Sequence, residues 1–235
     1  MNMRNKILAA CALVLLLAAF AYMSFDRIAF FVLSKFYNTD VSYKSITKDP
    51  LNGYTFENFR AMNKKMGFGL FSTRAYFKPV GKMDFWKSLE FDFKFKDVHF
   101  VKQRTETLKA SYGNPEELVA MPFEGRWRYK EINGTIEVYS NGITLKKFSA
   151  DGNQIRLFIS GDIFYNSVID ANVTILFSKD VLKDIPPELH SVIMNEEPKE
   201  WKSFSVKLKG NYRSPSVQIS GKLFRLNIGT VVVKD

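Results

Sequence analysis

Residues 133–162 read NGTIEVYSNGITLKKFSADGNQIRLFISGD, and their punctuation is regular. Asn133-Gly134, Asn141-Gly142, Asp151-Gly152 and Gly161-Asp162 follow one another at intervals of 8, 10 and 10 residues. Asn-Gly and Asp-Gly accept the positive φ angles that a tight hairpin turn requires. The segments between them, 135–139, 143–148 and 154–160, are of strand length. Spacing and chemistry together predict an antiparallel meander.

Alternation on either side extends this reading. Phe91, Phe93 and Phe95 alternate with Glu90, Asp92, Lys94 and Lys96; Ala171, Val173, Ile175 and Phe177 alternate with Asp170, Asn172, Thr174 and Leu176. Phe204, Val206 and Leu208 do the same against Ser203, Ser205 and Lys207. A period of two with one polar side means a sheet wetted on one face. After Phe95 the apolar phase slips to Val98 and Phe100, which predicts a bulge near Lys96 and Asp97. Helices are few. Asn114, Pro115 and the acidic pair Glu116-Glu117 make a helix start that ends before Pro122. Another is expected over about 187–194, and a single turn from Ser178. The fold class is therefore mostly β: one antiparallel, curved sheet or a two-layer β domain with a few short helices.

The chain opens on Arg4 and Lys6, then an apolar run over 7–23 without charge, Pro or Gly, then Asp26 and Arg27. Those 17 residues are at the lower edge of what crosses a hydrocarbon core about 30 Å thick. Basic residues before the run and none directly after it predict a cytosolic N-terminus and an exported remainder. Three readings of the run stand: an uncleaved signal anchor, a signal peptide cleaved after Ala21, and a lipoprotein signal ending at Cys11. The anchor is preferred, because Ile28, Phe30, Phe31, Val32, Leu33 and Phe36 carry the apolar, helix-compatible pattern onward. The lipoprotein reading fits least, since most of the run follows Cys11. The expected division is an anchor over 1–23 and one exported β domain over 24–235, single-pass in a bacterial inner membrane with the domain in the periplasm.

Chemistry-bearing residues are sparse. Cys11 is the single cysteine, so the exported part can hold neither disulfide nor cysteine-ligated metal. His99 and His190 each lack a second ligand at metal spacing. Gly67-Phe68-Gly69 lacks the third glycine of a dinucleotide fingerprint. Adjacent carboxylates at Glu116-Glu117 and Glu196-Glu197 point in different directions and suit solvation. No catalytic residue, metal or cofactor is predicted. The balance of 34 basic to 24 acidic residues, net +10, together with export, favours anionic lipid head groups, phosphorylated glycolipids or a solvated surface over nucleic acid.

Three places resemble the AsmA-like family of periplasmic proteins, relatives of TamB and of chorein-type lipid bridges. An apolar helix runs into an amphipathic segment and then Thr39-Asp40-Val41-Ser42-Tyr43. Gly53-Tyr54-Thr55-Phe56-Glu57-Asn58-Phe59 is similar to that family's G-x-x-F-x-N-F strand, followed by Ala75, Phe77 and Phe85-Trp86-Lys87-Ser88-Leu89. Leu208-Lys209-Gly210-Asn211-Tyr212-Arg213-Ser214-Pro215 resembles its closing L-x-G-x-x-x-x-P pattern. The resemblance implies a curved sheet whose apolar face holds acyl chains, in lipid transport or envelope biogenesis. Its expected groove residues here are Phe91, Phe93, Phe95, Val173, Ile175, Phe177, Phe204, Val206 and Leu208. The chain is far shorter than many members, so long-range conduction does not follow. The alternative is a non-enzymatic, GspN-like assembly component of a secretion system, binding protein through edge strands.

Overall fold

The computed structural model describes residues 27, 34–35, 38–49, 53–64, 67–84, 88–102, 115–211, 215–220 and 225–228. The apolar run over 7–23, the cleavage position Ala21, Cys11 and the cap Asn114 lie outside them. Arg27, Ser34 and Lys35 are helical, and no helix among the described residues is long and apolar enough to cross a membrane.

Thirteen strands form one antiparallel sheet. They are β1 (Thr39–Ser42), β2 (Ser45–Asp49), β3 (Gly53–Asn63), β4 (Phe68–Asp84), β5 (Ser88–Lys102), β6 (Tyr129–Tyr139), β7 (Gly142–Gly152), β8 (Ile155–Phe164), β9 (Val168–Phe177), β10 (Asn195–Glu197), β11 (Trp201–Asn211), β12 (Ser216–Ser220) and β13 (Arg225–Ile228). The path runs β1, β3 to β9, then β11 to β13, with β2 on β3 and β10 on β11. Of the two expected arrangements the single sheet is the one formed. β1 and β2 share one side of β3 and are interrupted at Tyr43 and Lys44, where the Lys44 N–H donates to Glu57 O at 2.8 Å. A broken edge of this kind offers a poor template for a further strand.

The meander over 129–177 is present, but its turns differ from the expected ones. Tyr139 pairs with Gly142, so Ser140 and Asn141 make the β6–β7 turn. Asn133-Gly134 instead lies within β6, Asp151-Gly152 closes β7, and Gly161-Asp162 lies within β8. The other turns of this stretch are at Asn153-Gln154 and at Tyr165, Asn166 and Ser167. The glycines serve close packing. A Cβ on Gly134 would stand 2.2 Å from Lys147 O and 2.6 Å from Phe93 Cζ, so the Phe93 ring occupies the space a side chain would need. Gly161 has φ of 144° and lies beside a bulge in β7 at Lys146 and Lys147. Glycine in a strand interior commonly marks such an approach or bulge.

The bulge expected near Lys96 and Asp97 is not formed, since β5 keeps its register with both neighbours there; the phase slip after Phe95 belongs instead to a larger feature. Asp97 takes φ of 51° and Asn58 takes φ of 52°, left-handed values that Asp and Asn tolerate. Register places Asn58 beside Thr73, Thr73 beside Asp97 and Asp97 beside Lys130. Along this line the apolar phase changes in every strand. It passes from Phe56 to Phe59 in β3, from Ser72 to Ala75 in β4, from Phe95 to Val98 in β5 and from Ile132 to Tyr129 in β6. Because neighbours slip together, β5 keeps its register with β4 and β6 across the line. Ser72 fastens it from within: its buried Oγ lies 2.7 Å from Lys96 O and 2.8 Å from Arg74 O, and accepts the Lys96 N–H at 3.1 Å.

Short helices gather at one end of the strands. α1 (Pro115–Ala120) passes into a 3-10 turn (Met121–Phe123) between β5 and β6; α2 (Lys179–Leu182) and α3 (Pro187–Ile193) lie between β9 and β10. These match the expected helices. Leu118, Met121, Val181, Leu182, Ile185, Ile193 and Met194 are buried from them into the same core as Tyr129, Phe177 and Phe204. The Tyr129 hydroxyl donates to Pro122 O at 2.6 Å, and burial holds its pKa well above the usual phenol value. Phe123 packs on Phe68 and Phe100 at centroid distances of 6.3 and 5.4 Å.

Candidate functional site: an apolar face with one open end

Register resolves the apolar face into four parallel rungs, each crossing the sheet with one residue per strand. On the helix side of the four runs Phe56, Ala75, Phe95, Ile132, Ala150, Leu157, Ile175 and Phe204. The next holds Tyr54, Phe77, Phe93, Gly134, Phe148, Ile159, Val173, Val206 and Ile219. The third holds Pro79, Phe91, Ile136, Leu145, Gly161, Ala171, Leu208 and Val217. The last holds Leu89, Val138, Ile143, Ile163 and Ile169, at the turn end. Alternate residues are about 6.7 Å apart along a strand, so first and last rungs are separated by about 20 Å.

Burial falls steadily along this axis. Every member of the first rung is buried, whereas no member of the last is, and Ile163 is 45% exposed. The middle rungs are mixed: Phe93, Val173, Val206 and Ile219 are buried, and Phe91, Ile136, Leu145 and Leu208 only half so. The physical cause is the placement of the helices, which cover the face at one end and leave it open at the other. Within it, Tyr43, Phe56, Phe59, Phe77, Phe95, Phe93 and Phe148 touch in sequence at centroid distances of 5.2 to 6.2 Å. Edge-on and tilted aromatic pairs of this kind add modestly to area burial.

The nine expected groove residues share this one face but not one environment. Phe95, Ile175 and Phe204 lie on the first rung, Phe93, Val173 and Val206 on the second, Phe91 and Leu208 on the third. Phe177 lies deeper still, opposite Ile155, and stacks on Phe204 at 5.9 Å. Most of them thus build the core, and only Phe91 and Leu208 approach the open end. The last rung was not singled out from sequence. Its signal was available in the alternation of Ile136 with Val138 and Ile143 with Leu145.

The reverse face is polar and cross-linked. Arg74 meets Glu57 at 2.8 Å, Lys94 meets Glu131 at 2.7 Å, and Lys146 reaches Glu90 and Glu137 at 2.8 and 3.0 Å. A hydrogen bond from Lys94 holds the Glu131 carboxyl below the usual range, and hydrogen bonds from Ser88 and then Lys146 do the same for Glu137. Asp162 accepts from Thr144 and, at 3.2 Å, from Tyr139. His99 lies against Phe71 at 5.1 Å, its pKa lowered by burial and by Arg128. His190 is lowered by burial and by Lys202, whose Nζ stands 3.4 Å from Nδ1. Glu196 pairs with Lys202 at 3.0 Å while Glu197 accepts from Ser203 at 2.7 Å, so the adjacent carboxylates serve different partners. Among the described residues no group of three or more His, Cys, Asp or Glu could hold a metal ion.

No family model, no curated protein and no solved structure matches this chain.

Proposed function

We propose that this protein holds lipid acyl chains on the open part of its apolar face, as a membrane-anchored component of lipid transport or envelope biogenesis in the periplasm. The supporting observation is the burial gradient. Four apolar rungs run continuously from a covered core to a rung of five aliphatic residues, four of them half-buried and Ile163 exposed. Apolar surface of that extent favours an apolar partner, by about 25 cal/mol for each Å² removed from water. A second reading, a GspN-like assembly component binding protein, draws on β1 and β13, the two ends of the sheet among the described residues. The interruption at Tyr43 and Lys44 weighs against strand addition at the first, and Val231 to Lys234 lie outside the described residues. No catalytic role is proposed.

Mass spectrometry of an organic extract of the purified protein separates these readings. The lipid reading expects stoichiometric lipid, lost in an Ile143→Asp, Val138→Asp variant that keeps its β-sheet circular dichroism. A lipid-free protein whose cross-linking recovers envelope subunits would replace it with the second reading.

A further inference from the structure

Among the described residues, five large apolar side chains are exposed, and three of them belong to one hairpin tip. Ile163 is 45%, Tyr165 51% and Val168 37% exposed, all at the β8–β9 turn. The tip spans Ile163-Phe164-Tyr165-Asn166-Ser167-Val168-Ile169, seven residues without a charge between Asp162 and Asp170. Both flanking carboxylates are engaged: Asp162 with Thr144 and Tyr139, and Asp170 with Lys209 at 3.2 Å. The turn itself is held in shape. The Tyr165 N–H donates to Asn141 O at 3.0 Å, the Ser167 N–H to Phe164 O at 3.1 Å and the Val168 N–H to Asn166 Oδ1 at 3.3 Å. The first of these bonds ties the tip to the neighbouring Ser140-Asn141 turn, which is also uncharged.

We propose that this tip docks on the surface of a zwitterionic phospholipid bilayer and brings the open end of the apolar face to it; the inference rests on the lipid reading above. Three observations commit the occupant. The tip has no charge for an ion-paired protein partner or for anionic head groups, and it presents an aromatic hydroxyl beside aliphatic side chains. Tyrosine in that setting suits the boundary between head groups and acyl chains. Ile163 and Ile169 belong both to the tip and to the last rung, so apolar surface runs from a docked bilayer into the face without interruption. The chain enters the sheet at Thr39, opposite Asn63 at the covered end. Tip and entry point thus lie at opposite ends of strands about 30 Å long.

The test uses the full chain in lipid nanodiscs, which accommodate its apolar opening run, with Cys11→Ser and Asn141→Cys carrying a fluorophore. Added vesicles of brominated phosphatidylcholine should quench the label equally at low and high salt. A Tyr165→Ser, Val168→Ser variant should weaken vesicle binding by about tenfold or more while retaining the lipid that co-purifies in detergent before nanodisc assembly. Quenching that requires anionic lipid and disappears in salt would overturn the proposal, as would no quenching, or self-quenching of labels between copies without vesicles. Lipid-free extracts of the detergent-purified protein, taken before nanodisc assembly, with quenching retained afterwards would remove the acyl-chain reading and leave the docking tip standing.

Discussion

Ser72 shows how one small polar residue can hold a bend in a sheet. Its buried hydroxyl serves both the N–H and the C=O of Lys96, so removing it strands backbone groups where water cannot replace it. Ser72→Ala should cost about 1–3 kcal/mol in urea unfolding, and a neutral result would exclude this role. The histidines give a pH signature. Both have lowered pKa values in the fold, so each binds a proton less readily there than in the unfolded chain, where 6.5 is the reference. Stability from these sites is complete above pH 6.5 and declines as pH falls through it toward the lowered folded values. His99→Asn with His190→Gln should flatten that part of a stability-against-pH curve.

At the scale of elements, the hairpins were readable and their turns only in part, two of four being found to within one or two residues. Alternation located β5, β9 and β11, and Pro115, Pro187 and Ser178 marked the helix starts, because both are local signals. Asn133-Gly134 and Gly161-Asp162 misled because glycine answers two different demands, positive φ in a turn and close approach in a strand. Only the neighbour decides between them, and here it is the Phe93 ring over Gly134 and the bulged β7 beside Gly161. Gly134→Val should therefore destabilise by about 1–3 kcal/mol through overpacking, although valine favours strands. Thermal unfolding of the variant tests this, and a stabilised protein would restore the turn reading. Tyr129→Phe should loosen the cover rather than the sheet, raising hydrogen exchange in 115–123 with little change in β9.

For the whole molecule, the gradient along the strands makes a prediction that no single contact does. Leu157 is fully buried on the first rung and Ile163 is exposed on the last, within the same strand. In delipidated protein Leu157→Ala should cost about 2–5 kcal/mol and Ile163→Ala less than about 0.5 kcal/mol. Equal losses in urea denaturation would mean the turn end is covered after all, and the acyl-chain reading would lose its support. The reverse face should matter less. Its ion pairs are half-exposed, so high salt should shift the unfolding midpoint only slightly.

Period-two alternation by itself determined the antiparallel β class, the single wetted face and the membership of Phe91, Phe93, Phe95, Val173, Ile175, Phe177, Phe204, Val206 and Leu208 in the opposite face. Those are properties of a strand and its pleat. Depth along that face was decided only in three dimensions. It depends on register, which aligns residues distant in the chain into rungs, and on the helices folding over one end, which leaves Phe91 and Leu208 near the opening while Ile175 and Phe204 lie in the core.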